Sequence, residues 1–173
     1  MKRIIKLIII LSALTQICNA QKVETVKEYQ VFYDRIVPHL KLAEKKSDGC
    51  VGKPFSEFVK LLNKQDVKII RVGQEYDSRR LYPKDIFGLI LYFTTWEDSG
   101  FAEAHDLYDP MVIIYFTESK PYEEGLSLTK KYKAYFTEEE FYSDVVIKSI
   151  EFAGLDTMYR STYKNENGDD DEQ

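Results

Sequence analysis

Three stretches of this chain carry the same tripeptide: Tyr92-Phe93-Thr94, Tyr115-Phe116-Thr117 and Tyr135-Phe136-Thr137. The first two follow near-identical apolar runs, Leu89-Ile90-Leu91 and Val112-Ile113-Ile114. Aromatic, β-branched and threonine side chains fit a pleated, half-buried surface, so each run predicts a strand that ends at its tripeptide. Residues 86–95 are apolar almost throughout, which predicts a central strand covered on both faces. The segments between the copies share no sequence, so the tripeptides read as similar strands meeting similar demands and not as a repeat architecture.

Helical periodicity is concentrated ahead of these strands. Val23, Val26, Tyr29 and Tyr33 recur at spacings of three and four, predicting a helix over 22–35 that Pro38 interrupts, with a second short helical stretch over 40–45. Pro54 suits a first helical position, and Phe55, Phe58, Val59 and Leu62 then share one face up to Asn63. The β-branched run 67–72 predicts the first strand, 73–85 a loop or a ragged strand edge, and 96–110 a long acidic connection. Met111–Thr117 and residues 132–136 predict further strands, joined by a connection over 118–130. Thr137 and Glu140 have the spacing of a capping box, and a last strand, near an edge, runs from Val145 to a stop at Gly154. The expected fold is therefore α+β: N-terminal helices packed on one face of an antiparallel sheet of about five strands. Its core would include Phe58, Leu62, Leu91, Phe93, Ile114, Phe116 and Ile150.

The ends carry a different signal. Met1-Lys2-Arg3 is a basic start, Leu7 to Leu14 is apolar, and Cys18-Asn19-Ala20 offers small residues where a signal peptidase reads. Residues 1–20 thus read as a signal peptide and 21–160 as a single domain. A membrane span needs about 20 apolar residues, more than Lys6 and Gln16 leave between them. Lipidation at Cys18 is the alternative, and Thr15-Gln16-Ile17 lacks the small residue such sites place before the cysteine. The expected location is periplasmic or extracellular. Residues 161–173 end in an acidic stretch without apolar anchors, which predicts a disordered tail.

Charge narrows the partners. The chain has 24 basic and 29 acidic residues, and the signal region removes three bases and no acid. That balance repels nucleic acid and anionic membrane surfaces. After cleavage only Cys50 remains, so no intramolecular disulfide is available; burial is the reading favoured for that thiol.

Cys50, His105 and Asp106 form the sharpest candidate constellation for chemistry, the nucleophile, base and orienter of a cysteine-dependent hydrolase of the cell envelope. Such enzymes seat the thiol at a helix mouth, whereas Pro54 sets the helix start several residues after Cys50. His39 has no second histidine at metal-ligand spacing, and Asn165, Asn167 and Gly168 match a calcium loop whose first ligand position holds Tyr163. No catalytic set, metal site or cofactor is expected. Thirteen tyrosines and one tryptophan remain. Tyr76, Tyr82, Trp96, Tyr108 and Tyr122 fall in loops or at strand ends, where rings with one polar tip serve protein- or sugar-binding surfaces.

Gly52 opening a helix through Val59 and Leu62, followed by strands, resembles the exported SmpA/OmlA and β-lactamase-inhibitor-protein type of module over residues 50–72. Asn63-Lys64-Gln65 stands where those modules carry Gly-x-Pro. The resemblance implies helices on one face of an antiparallel sheet and protein binding in the envelope. The expected role is a non-catalytic exported interaction module for an envelope or extracellular protein; the alternatives are the Cys50/His105 hydrolase and a sugar-binding module.

Overall fold

The computed structural model describes residues 23–76, 84–124 and 142–160. Helix α1 spans Val26–Ser47, and a short 3-10 turn, Asp48–Cys50, leads to α2, Phe55–Lys64. Strands β1, Arg71–Tyr76, and β2, Asp85–Tyr92, follow. Helix α3, Trp96–Ala104, precedes β3, Met111–Pro121, and β4 is Ile147–Ala153. The four strands pair antiparallel in the order β1-β2-β3-β4, so the fold is α+β as the sequence predicts. Four strands are described where about five were expected, and the predicted strand over 132–136 and the Thr137 capping box lie outside the described residues.

Helix α1 continues across Pro38, against the break predicted there. Proline removes one backbone donor and crowds the preceding turn, at a cost of about 3 kcal/mol in a helix interior. Pro38 is exposed, so water can satisfy the carbonyl it orphans. The buried stripe Tyr29, Tyr33, Val37, Leu40 and Ala43 continues across it, and each large buried side chain returns about 1.5–3 kcal/mol. The helix also starts at Val26, later than periodicity suggested. Thr25 accepts from the Glu28 amide while the Glu28 carboxylate takes the Thr25 amide, a complete capping box.

Three more boundaries differ. The run 67–72 is not the first strand: Val67 and Ile69 are buried, but strand pairing starts at Arg71, which lies opposite Tyr92, the last residue of β2. Trp96–Ala104 is a helix and not an open connection, because Thr95 caps it by accepting from the Asp98 amide. Strand β3 continues past its Tyr-Phe-Thr to Pro121, so that copy lies inside the strand.

The core lies between the sheet and the two N-terminal helices. Phe55 and Phe58 of α2 meet Phe116 and Phe152, with ring centroids 6.5 and 6.2 Å apart. Leu89, Leu91, Val112, Ile114 and Phe116 line the same sheet face, alternating with half-buried residues as the pleat requires. Of the expected core, Ile150 is only partly buried, and the other six are buried. The opposite face of β2 keeps Ile90 and Tyr92 half-exposed, so this central strand is not fully covered on both sides. Strand β4 ends at Ala153, just before Gly154, whose φ of 71° lies in the left-handed region that glycine adopts without strain.

Candidate functional site

Register divides the aromatic candidates. Trp96 and Tyr108 belong to the sheet end where Tyr92 meets Met111. Tyr76 pairs with Ile86, and Tyr122 donates its amide to the Lys84 carbonyl at 2.8 Å, both at the other end. The length of β2 separates the two groups, about 20 Å at ordinary strand rise. Tyr82 lies outside the described residues. Tyr122 is half-buried against the core, while Tyr108 is fixed by its backbone, donating to Met158 and accepting the Tyr29 hydroxyl at 2.7 Å.

The Trp96 end holds the best-defined site. Arg71 enters β1 on the side of the sheet away from α1 and α2, where its guanidinium carbon lies 4.1 Å from the Tyr92 ring centroid and 4.0 Å from that of Trp96. The cation is thus held between two aromatic faces, and Arg71 is only 3% exposed. Its Nε donates to the Thr94 carbonyl at 2.9 Å, and its Nη2 lies 3.5 Å from Asp109 Oδ2 without a hydrogen-bond partner. Asp109, also buried, accepts from the Thr94 hydroxyl at 2.8 and 2.9 Å and from the Ser99 hydroxyl. Burial pushes the Asp109 carboxyl up, against Ser99, Thr94 and Arg71, which pull it down. A carboxylate, a guanidinium and two hydroxyls therefore lock the start of α3 to β1.

Trp96 is the outward part of this cluster. Its ring covers Arg71, yet the residue remains 62% exposed. Thr95 caps α3 just before it, and Asp98 accepts the Val23 amide at 3.0 Å, which ties the start of the described chain to the same helix. Tyr159, half-exposed and bridged to Leu107 near this end, is a candidate that the sequence reading missed.

The proposed hydrolase residues are not assembled. Gly52, two residues after Cys50, donates to the Ile147 carbonyl at one end of β4. His105 precedes Tyr108, whose Cβ lies beside Gly154, just past the other end. About 20 Å of strand therefore lies between the segments that carry the thiol and the imidazole. Burial pushes the Cys50 thiol up, which disfavours the thiolate. His105 stacks on Phe101 at 4.0 Å and has Nδ1 2.9 Å from the Phe101 carbonyl. His39 places Nδ1 2.7 Å from the Gln65 carbonyl, fastening α1 to the end of α2. Among the described residues no group of three or more His, Cys, Asp or Glu side chains could hold a metal ion, and no helix is long and apolar enough to cross a membrane. The calcium-like tail motif lies outside the described residues.

No family model matches the chain, and neither a curated protein nor a solved structure matches it.

Proposed function

We propose that this chain is an exported, non-catalytic interaction module that binds a protein of the envelope or the extracellular space through the Trp96 end of its sheet. The observation that carries the reading is the exposed Trp96 ring seated on a buried cation. Most interface energy comes from a few residues, with Trp, Tyr and Arg enriched among them. An anchor already held in place loses little side-chain freedom when a partner arrives. The distance between Cys50 and His105 speaks against the hydrolase alternative, and the resemblance of residues 50–72 to envelope-binding modules favours protein binding.

The test is capture from envelope extract by wild type and Trp96→Ala, with Trp96→Phe as a control that keeps an aromatic cover over Arg71. A partner retained by wild type, kept in part by Trp96→Phe and lost by Trp96→Ala is the expected result. Equal recovery of every captured protein by all three forms would remove Trp96 as the contact.

A further inference from the structure

The pairing register sorts the sheet face turned away from α1 and α2 into rows. Arg71, Tyr92 and Met111 lie side by side in the first, and Gly73, Ile90, Ile113 and Glu151 in the second. Glu75, Gly88, Tyr115 and Ser149 form the third. Tyr92, Met111, Ile90, Ile113 and Tyr115 are all half-buried, so an apolar strip runs down the middle of this face and keeps part of its surface in water. Trp96 closes one end of the strip over Arg71.

The charges on the face are one-sided. Arg71 is buried and paired with Asp109, so it presents no cation to a partner. Glu75 on β1 and Glu151 on β4 flank the strip from opposite sides, and neither has an ion-pair partner among the described residues. Burial and then the fields of Glu151 and Glu75 push the Tyr115 phenol up, so both carboxylates act on the centre of the strip.

We infer that this face docks a cationic, apolar segment of a protein partner, with Lys or Arg side chains reaching Glu75 and Glu151 while apolar side chains cover Ile90, Ile113 and Trp96. Apolar contact in the middle supplies area, and flanking carboxylates select the sign of the partner and speed its encounter. A neutral apolar segment would leave both carboxylates partly desolvated and unpaired, and an acidic one would meet like charge. This inference rests on the binding-module reading and adds the chemistry of the partner.

Trp96 is the only tryptophan, so its fluorescence reports occupancy of the strip directly. The probes are a synthetic amphipathic peptide of leucine and lysine and the same peptide with glutamate for lysine. The lysine peptide should shift Trp96 emission to the blue, and the glutamate peptide should not. Glu75→Lys with Glu151→Lys should weaken the lysine peptide about tenfold or more, with the loss reduced by added salt. Glu44→Lys with Asp48→Lys, both exposed at the end of α1, should leave affinity within about twofold, because the strip lies across the sheet from them. Equal binding of the two peptides, equal effects of the two double variants, or no emission change at saturating lysine peptide would each overturn the inference. If these failed while Trp96→Ala still lost its envelope partner, the partner chemistry would be wrong and the binding reading would stand.

Discussion

The guanidinium carbon of Arg71 lies 4.0 Å from the centroid of the Trp96 ring, so the chain's only tryptophan turns one face to a buried cation and the other to solvent. A cation over an indole face contributes from about 0.5 kcal/mol when exposed to about 2 kcal/mol when desolvated. Arg71 is desolvated on its own side. Trp96→Ala should therefore lower stability by about 1–2 kcal/mol in chemical denaturation, and Trp96→Phe by less. An unchanged midpoint in Trp96→Ala would show that the ring adds nothing to holding the cation.

Arg71 and Asp109 should behave as one unit. Removing one partner of a buried pair leaves an uncompensated charge and costs about 3–5 kcal/mol. Arg71→Met and Asp109→Leu are each expected in that range, and the double variant is expected to lose clearly less than their sum. The Nη2–Oδ2 separation of 3.5 Å and the unpartnered Nη2 favour this, since an imperfect pair is easier to replace with apolar contact. Additive losses in the double-mutant cycle would show that the two do not interact.

Much of this organisation was legible in the sequence, and its limits have a physical cause. Phe55, Phe58 and Leu62 announced α2 because residues three and four apart share a helix face, a relation written locally. The apolar runs of β2 and β3 announced a sheet for the same reason. The Arg71–Asp109 pair could not be found that way. Its members are far apart in the chain, and each alone looks like an ordinary surface charge. At Pro38 the local cost of proline predicts a break, and the buried stripe that continues beyond it outweighs that cost. The cap of α1 was readable, since Thr25 and Glu28 have the required spacing, but periodicity alone placed the start too early. Which tyrosines stand together depends on strand register and on the connections between strands, which join residues far apart in the chain.

Stability should carry an acid-side component from Asp109. Burial lifts its folded-state pKa above the ordinary value of about 3.9, so over the window between the two values the folded state holds more protons than the unfolded one. Stability from this group is complete below the unfolded pKa and is lost as pH rises through the folded one. Denaturation of wild type and Asp109→Asn across that window should show wild type losing ground relative to the variant as pH rises. A constant difference would show that Asp109 titrates alike in both states.

Two glycines should respond in opposite ways to alanine. A Cβ on Gly88 would collide with the Ile114 carbonyl oxygen, where β2 and β3 approach through a register shift. Backbone cannot rotate away as a side chain can, so Gly88→Ala should cost about 3 kcal/mol or more, at the upper end for overpacking. A Cβ on Gly100 meets nothing within 4 Å, and Gly100 is an exposed residue inside α3. Alanine there should stabilise by about 0.5–1 kcal/mol, because glycine loses more backbone freedom in a helix. Melting curves of the two variants check both signs.

The basic start, the apolar stretch and Cys18-Asn19-Ala20 predict cleavage after Ala20, which would leave Gln21 as the first residue. Val23 is buried and its amide is held by Asp98, so that cut would fall just outside the residues the fold grips. N-terminal sequencing of the processed protein should start at Gln21, and Cys18→Ser should not move that start. A product that begins at Cys18, carries added lipid mass and disappears in Cys18→Ser would instead establish a membrane-anchored lipoprotein. The interaction surface would then work tethered to a bilayer and not released from it.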